Sequence, residues 1–147
     1  MPISKFFLSA VCLTASLLLT GCANSPKDLA VKLTEYVYAG QTDKIYRHMY
    51  YVDENNSELT GAALRKALSQ RMAVTQEMAQ SRAAMSGGIK SINTGFVAFS
   101  GDGDNSSVTV TVIFNDKDAV PAVEQMHFVN INGTWKYDPN PRFLSSL

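Results

Sequence analysis

The periodicity of apolar residues changes at Gly87-Gly88, and this change constrains the fold more than any other feature of the sequence. Before the two glycines, apolar residues recur at every third or fourth position, which is the spacing of an amphipathic α-helix. After them, apolar residues alternate with hydroxyl residues, as in SSVTVTVIF over residues 106–114, which is the period of a strand. Helices followed by strands predict an α+β fold in which the helices pack on an antiparallel sheet.

Three helices are predicted before the glycines. The first follows the N-cap Ser25 and starts with Pro26, and it ends at Gly40 because glycine favours the conformation that closes a helix. A short second helix is predicted over residues 42–51. The third covers residues 60–86, contains no proline and would be on the order of 40 Å long if it is unbroken.

Four antiparallel strands are predicted after the glycines, over residues 89–100, 106–115, 122–132 and 134–137. Gly95 interrupts the alternation of the first strand, which predicts a β-bulge. The segment GDGDN (101–105) joins the first two strands and resembles part of a calcium loop. It lacks the later ligands and the terminal glutamate of an EF-hand, so we predict a hairpin turn and no metal.

The last hairpin assigns the two faces of the sheet. Asn132-Gly133 is typical of a two-residue type I′ turn, and this turn places Phe128 opposite Tyr137. Opposed residues share a face. The apolar surface expected to face the helices comprises Met126, Phe128, Trp135 and Tyr137, and the opposite side is expected to carry Gln125, His127 and Lys136.

Three segments resemble one group of small bacterial lipoproteins of unknown function. They are GGIKSI (87–92), SSVTVTVIF (106–114) and NGTWKYD (132–138), and the likeness covers roughly residues 26–138. The resemblance implies the nuclear-transport-factor-2-like, or cystatin-like, cone: three N-terminal helices packed on a curved four-stranded antiparallel sheet. Relatives use the cavity at the open end of the cone for small ligands, subunit contacts or, in a minority, catalysis.

The N-terminus has the form of a bacterial export signal. Lys5 precedes an apolar run over residues 6–19, which is shorter than the roughly 20 residues of a membrane-spanning helix. Leu19-Thr20-Gly21-Cys22 resembles a lipobox, which implies cleavage after Gly21 and a diacylglycerol on the Cys22 thiol. The alternatives are an ordinary export signal with an incidental cysteine, and an uncleaved anchor.

The resemblance to a lipobox also implies a location. Ala23 follows the cysteine, whereas an aspartate at that position commonly marks retention in the inner membrane. We therefore expect a lipid anchor in the outer membrane, with the domain facing the periplasm. Residues 1–21 would be the signal peptide, residues 22–25 the lipidated tether, and residues 26–147 one α+β domain.

Composition excludes several classes of function. Removal of 21 residues from 147 leaves 126, with 12 basic and 13 acidic side chains, because Lys5 is the only charged residue lost. This balance predicts no binding to nucleic acid. Cys12 would leave with the signal and Cys22 would be lipidated, so the domain would have no disulfide, thiol nucleophile or cysteine-ligated metal. No cofactor is predicted.

Seven residues are candidates for the lining of the cavity: Tyr36, Tyr46, Tyr50, Glu124, Met126, Phe128 and Trp135. Tyrosines combine an apolar body with one polar group, which suits pockets and interfaces, although packing of the short helix would also account for them. Glu124 shares the predicted face of Met126 and would line the cavity mouth. The alternative for Glu124 is a solvated carboxylate at the end of the strand.

The sequence does not predict a catalytic constellation. His127 lies three positions after Glu124, so strand alternation points the two side chains to opposite faces and excludes a simple dyad. No residues match the tyrosine and acidic pair, or the Asp/His dyad, of enzymes with the cone fold.

We therefore expect a non-enzymatic, membrane-anchored module that binds a small apolar molecule or an envelope protein. One alternative is a small isomerase- or hydrolase-like enzyme that uses Glu124 or His127 as a base. Another is a purely protein-binding inhibitor or assembly factor. Dimers through the open sheet face are common among relatives, so the resemblance also allows a homodimer.

Replacement of Cys22 by serine should release the chain from the membrane, because a hydroxyl cannot take the thioether-linked lipid. After carbonate washing, the wild-type chain should stay in the membrane pellet and Cys22→Ser should be in the supernatant. Cys12→Ser is the matched control, because Cys12 lies inside the predicted signal. Persistence of Cys22→Ser in washed pellets would contradict lipid anchoring.

Overall fold

The computed structural model describes residues 25–141, so the predicted signal peptide, Gly21 and Cys22 lie outside the described residues. Helices α1 (Pro26–Tyr38), α2 (Thr42–Ile45) and α3 (Gly61–Met85) come first. Strands β1 (Ile89–Phe99), β2 (Asn105–Phe114), β3 (Ala122–Ile131) and β4 (Thr134–Tyr137) follow and form one antiparallel sheet in the order β1-β2-β3-β4. The predicted α+β class, with helices packed on a four-stranded antiparallel sheet, is confirmed.

Local sequence sets both ends of α1. The Ser25 hydroxyl accepts a 3.2 Å hydrogen bond from the Asp28 backbone amide, and Pro26 occupies the first turn, where its missing N–H has no helical partner to lose. At the other end the chain turns at Gly40, which has a φ of 71°. Glycine adopts this positive φ readily, whereas residues with a Cβ atom disfavour it. The first helix therefore has the predicted limits.

The second helix is shorter than the sequence predicted. Helix α2 ends at Ile45, a 3₁₀ turn covers Tyr46–His48, and Met49 already has an extended backbone. Pairing with the sheet is the reason. Met49 forms a parallel bridge with Tyr137, and the Tyr50 amide donates a 2.8 Å hydrogen bond to the Tyr137 carbonyl. The chain after residue 48 thus runs beside β4.

The hairpin between β3 and β4 has the predicted register. Phe128 pairs with Tyr137, and both Asn132 and Gly133 have a positive φ, as a type I′ turn requires. This register places Phe128 and Tyr137 on the inner face of the sheet, where Phe128 is fully buried.

A bulge and a strong curvature shape the sheet. The register of β1 against β2 shifts between Thr94 and Val97, which confirms the bulge predicted at Gly95. Strands β1 and β4 are the two edges and would lie about 14 Å apart in a flat sheet. The rings of Phe99 from β1 and Trp135 from β4 nevertheless meet at 6.0 Å between centroids. The sheet is therefore curved toward its inner face.

The hydrophobic core lies between α1, the N-terminal half of α3 and the inner face of the sheet. Its buried members are Leu29, Ala30, Leu33, Ile45, Met49, Leu64, Leu68, Met72, Val108, Val110, Met126 and Phe128. Helix α1 packs against β1 and β2, whereas α3 packs mainly on α1. The C-terminal half of α3 is less covered, and Met78 and Met85 are 68% and 78% exposed.

Leu64→Ala should lower the free energy of unfolding by about 2–5 kcal/mol, because it removes buried methyl groups and leaves a cavity in the core. Leu64 is 3% exposed. The matched control on the same helix is Val74→Ala, because Val74 is 50% exposed and its truncation should change stability by less than about 0.5 kcal/mol. Urea unfolding of both variants measures the difference, and equal midpoints would contradict the placement of the core.

His127 is buried although strand alternation places it on the face opposite Met126 and Phe128. It is 9% exposed, and its backbone carbonyl accepts a 2.8 Å hydrogen bond from the Asp138 amide. Burial lowers the pKa of the imidazole from its ordinary value of 6.5, and the Asp138 carboxylate opposes this shift. His127 is thus kept neutral in the folded state to a lower pH than in the unfolded chain.

The pKa of His127 makes stability depend on pH. As the pH falls below about 6.5, the unfolded chain binds a proton before the folded chain does, so the free energy of unfolding falls by up to about 1.4 kcal/mol per pH unit until the folded pKa is reached. Well above pH 6.5 the imidazole is neutral in both states, so His127 does not lower the free energy of unfolding there. Urea unfolding across this window should show a shallower decline for His127→Gln than for the wild-type chain, and identical slopes would contradict the shift.

Candidate ligand-binding cavity

A cavity of about 100 Å³ lies between α1, α3 and β3. Its position follows from the packing of the helices, because α1 fills the space over β1 and β2 and holds α3 away from β3. The interior is lined by the apolar residues Leu33, Val37, Ile45, Leu68, Met72 and Met126. The rest of the wall consists of Thr34, Tyr38, Arg71, Thr75, Glu124, Tyr137 and Pro139. A water needs on the order of 10–15 Å³ of such volume, so the cavity can hold a small organic group.

The cavity continues into an outer groove of about 260 Å³ beside the C-terminal half of α3. Tyr38, Thr75 and Glu124 line both spaces, so they form the junction between them. The outer groove is completed by Met78, Ala79, Arg82 and Ala122. A molecule longer than the cavity could therefore extend past Glu124 and along α3.

Glu124 is placed at this junction by the register of the sheet. Glu124 lies in β3, two residues after the start of the strand. It pairs with Val110 of β2, so it is on the inner face of the sheet. Its side chain is exposed. Within residues 25–141 the one ion pair joins Arg65 to Asp43, and the Glu124 carboxylate makes no hydrogen bond to another described residue. Glu124 thus lines the cavity wall with a side chain that is exposed to solvent.

Two arginines from α3 bring positive charge to the same walls. The Arg71 Nη2 donates a 3.0 Å hydrogen bond to the Pro139 carbonyl, and Arg71 lines the cavity. The Arg82 Nη2 donates to the Val120 carbonyl at 2.9 Å, and its guanidinium lies 5.5 Å from the centroid of the Phe114 ring. Backbone carbonyls hold both guanidinium groups in place without neutralising them, so their charge remains effective toward a ligand.

Two tyrosines of the cavity wall are held in their protonated form. Burial raises the pKa of Tyr38, the Glu124 carboxylate raises it further, and the Arg82 guanidinium opposes the shift. Burial also raises the pKa of Tyr137, the Arg71 guanidinium opposes this shift, and the Glu124 and Asp138 carboxylates add to it. Both phenols are therefore hydrogen-bond donors at neutral pH.

The two threonine hydroxyls of the wall are already engaged. The Thr34 Oγ1 donates a 2.9 Å hydrogen bond to the Ala30 carbonyl, and the Thr75 Oγ1 donates one of 2.9 Å to the Arg71 carbonyl. Both acceptors belong to the threonine's own helix, four residues earlier. Each hydroxyl therefore has an acceptor within its own helix and does not need one from a ligand.

Two of the seven candidate residues, Glu124 and Met126, line the cavity. Phe128 lies in the core beyond it, where its ring meets that of Tyr137 at 6.0 Å. Trp135 packs on Phe99 at the curved edge of the sheet. The prediction that these residues lie on the inner face is confirmed. Whether each one reaches the cavity depends on its position along the strand.

The three tyrosines of the candidate set lie away from the cavity. Tyr36 is contacted by the amines of Lys32 and Lys44, and the Tyr46 ring lies 5.1 Å from the Arg65 guanidinium. Tyr50 lines a different, shallow depression beside β3 and the segment after β4. Because α2 ends at Ile45, the tyrosines that follow turn toward the surface and the edge of the sheet.

Sequence reasoning assigned no role in the cavity to Arg71, and it did not use Tyr137 as a lining residue. A signal for Arg71 exists. Leu68, Arg71, Met72 and Thr75 follow the spacing i, i+3, i+4 and i+7, so Arg71 falls on the same helical stripe as the buried residues Leu68 and Met72. A charged residue within the buried stripe of a helix indicates a polar cavity or a partner.

Two further features concern the described part of the chain. No helix within residues 25–141 has the length and apolar character needed to span a bilayer. Over the same residues, no three histidine, cysteine, aspartate or glutamate side chains lie close enough together to hold a metal ion.

Comparison with known proteins identifies the fold. No protein-family model matches the sequence, and no curated protein matches it. The crystal structure of a Campylobacter jejuni protein, provisionally described as an NTF2-like transpeptidase, is similar with a TM-score of 0.59 and 18% sequence identity. The match covers 76% of this chain and 94% of that one. The curved sheet, the packed helices and this similarity together show that the chain has the NTF2-like α+β fold, whose architecture leaves room for a cavity.

Proposed function

We propose that this chain is a non-enzymatic lipoprotein of the outer membrane that faces the periplasm and binds a small amphipathic molecule in its cavity. The observation that carries the proposal is the division of the cavity wall into an apolar interior and a charged rim. The anchoring part is supported by the lipobox-like residues Leu19 to Cys22. The binding part is supported by the described residues, and the two parts can be tested separately.

The wall defines the chemistry of the proposed ligand. Leu33, Ile45, Leu68, Met72 and Met126 offer an apolar surface that would take a hydrocarbon group, and the methionines can adapt to its shape. Glu124 and Arg71 stand at the rim with no carboxylate–guanidinium pair between them, and the Tyr38 phenol can donate a hydrogen bond. The ligand would therefore carry a polar head with both hydrogen-bond donors and acceptors.

An isomerase-like enzyme is the second candidate, because a carboxylate and two protonated phenols share one cavity. Glu124 would remove a proton from carbon, and Tyr38 or Tyr137 would donate a hydrogen bond to the developing oxyanion. His127 does not serve this candidate, since it lies on the other face of the sheet. The ligand would then be turned over, and Glu124→Gln would abolish turnover.

The cavity wall does not favour the transpeptidase activity that is named for the Campylobacter jejuni protein. Transpeptidation through an acyl-enzyme needs a serine, cysteine or threonine nucleophile that is activated by a base. The hydroxyls of the cavity wall are Thr34, Thr75, Tyr38 and Tyr137, and both threonines donate to carbonyls of their own helices. The described wall therefore supports binding better than acyl transfer.

A protein partner is the third candidate, and exposed apolar side chains favour it. Met78 lines the outer groove, and Met85 follows on the same helix. Phe96 and Val123 are 76% and 64% exposed on the outer face of the sheet. An envelope protein that covered either surface would bury these side chains, and it would be recovered as a second polypeptide.

Native mass spectrometry of the mature chain, taken from its own envelope in mild detergent, tests the binding. We expect a reproducible excess mass of a small molecule on the wild-type chain. Glu124→Gln should weaken binding of that molecule by roughly 10- to 100-fold, because it removes a charge-assisted hydrogen bond without changing the shape of the wall. Glu77→Gln is the matched control, because Glu77 is exposed on α3 and lines neither space.

The outcomes separate the candidates. A bare monomer would contradict the ligand, and a second polypeptide on the chain would favour the protein partner. Conversion of the captured molecule by the wild-type chain but not by Glu124→Gln would favour the enzyme. Equal binding by the wild-type chain and Glu124→Gln would place the ligand outside the cavity rim.

A further inference from the structure

Four basic side chains from separate segments come together on one side of the domain. The Lys136 Nζ of β4 donates a 3.1 Å hydrogen bond to the Arg47 carbonyl in the 3₁₀ turn. The amines of Lys32 from α1 and Lys44 from α2 lie 6.0 and 5.2 Å from the centroid of one ring, that of Tyr36. These residues are called the basic face: Lys32, Lys44, Arg47 and Lys136. The sequence alone indicated no basic patch, because the four residues are spread over more than 100 positions.

His48 connects the two halves of the basic face. Burial lowers the pKa of its imidazole, and the charges of Lys32, Lys136 and Arg47 each lower it further. The three cations are therefore close enough to act on the same ring. The backbone makes the same connection, because α2 runs directly into the 3₁₀ turn. Lys44, which lies beside the Tyr36 ring, is therefore only three residues before Arg47, whose carbonyl holds Lys136.

None of the four residues of the basic face forms an ion pair within the described residues. The ion pair found within residues 25–141 uses Arg65 and Asp43, neither of which belongs to the face. The nearest carboxylates along α1 are Asp28, which accepts a 2.6 Å hydrogen bond from the Ser25 hydroxyl, and Glu35, which makes no ion pair. Four like charges on one surface repel one another, and an anionic surface would relieve that repulsion.

The basic face lies close to the predicted lipid. Helix α1 starts at Pro26, and three residues separate it from Cys22, which span at most about 11 Å. Lys32 lies six residues into the helix, or about 9 Å along its axis. A helix lying along the bilayer surface would therefore bring the basic face within reach of the headgroups next to the anchor.

We propose that the basic face docks on anionic phospholipid headgroups and fixes the orientation of the domain on the membrane. The proposal rests on the anchoring part of the proposed function and is independent of the ligand. Ammonium and guanidinium groups are attracted to lipid phosphates, and Arg47 can bind a phosphate through two N–H groups. Each Lys or Arg near an anionic surface strengthens membrane association by about fivefold. The lipid on Cys22 would hold the domain at the membrane surface, and the basic face would determine which side of the domain contacts the membrane.

Amine labelling of the full chain in vesicles tests the docking. One preparation uses phosphatidylcholine alone, and in the other about a third of the lipid is phosphatidylglycerol, which supplies the negative surface charge. At low salt, acetylation of Lys32, Lys44 and Lys136 should be slower by about fivefold or more in the anionic vesicles. Salt near 1 M should remove the difference, because it shortens the screening length to about 3 Å. Lys117 is the internal control, since it is exposed in the turn between β2 and β3 and should react equally in both preparations.

Two matched variants test whether the basic face itself causes the protection. The first combines Lys32→Gln, Arg47→Gln and Lys136→Gln. The second makes the same change of net charge with Lys66→Gln, Lys90→Gln and Lys117→Gln, all exposed positions outside the face. Lys44 is unchanged in both variants, and its rate of acetylation reports the contact between the basic face and the membrane. Its protection should be lost in the first variant and retained in the second.

The result that overturns the docking is equal labelling of Lys32, Lys44 and Lys136 in the two kinds of vesicle. Equal loss of Lys44 protection in both variants would also overturn it, because net charge alone would then be the cause. Removal of the chain from vesicles by carbonate contradicts the anchor at Cys22 and not the docking. The two failures are therefore distinguishable in one set of samples.

Discussion

The packing of α1 against the inner face of the sheet is the contact on which the rest of the structure depends. Leu29, Ala30 and Leu33 are each at most 1% exposed, and they meet Val108 and Phe128, which are fully buried. Described residues contain no cysteine, so hydrophobic burial is the main stabilising term of this domain. Because α1 covers β1 and β2, α3 packs on α1, and the cavity remains over β3.

The charged groups of the cavity are placed where they cost little stability. Glu124 and Arg71 have exposed side chains, so water satisfies them in the absence of a ligand, and the burial penalty for an unpaired charge does not arise. The apolar wall lies behind them. A ligand of the proposed kind would have to replace the hydrogen bonds of this water, and this requirement would select molecules with a matching polar head. The same arrangement explains why the fold tolerates charges next to its core.

The overall fold could be predicted because its signals are local. The change of period at Gly87-Gly88 separated helices from strands, and the Asn132-Gly133 turn set the register of the last hairpin. The end of α2 could not be predicted, because Met49 leaves the helical conformation to pair with Tyr137, which is 88 positions away. Local sequence at residues 46–51 favours a helix, and a non-local backbone contact overrides it.

The candidate site was only partly predictable for the same reason. Strand alternation placed Glu124 and Met126 on the correct face, but it carries no information on depth, so Phe128 and Trp135 were included although they lie beyond the cavity. Arg71 reaches the cavity through the packing of α3, and Tyr137 reaches it from the end of β4. The helical spacing of Arg71 is a local signal, but the packing of separate elements decides whether either residue reaches a cavity.

The basic face and the cavity have different origins in the chain. The cavity arises where α1 and α3 meet the middle of the sheet, whereas the basic face arises where α1, the 3₁₀ turn and the edge strand β4 meet. The bridge between Met49 and Tyr137 is what brings Arg47 to Lys136. The early end of α2, which departs from the predicted helix, is therefore also what assembles the basic face. A longer helix over residues 42–51 would carry Arg47 away from β4 and disperse the charge.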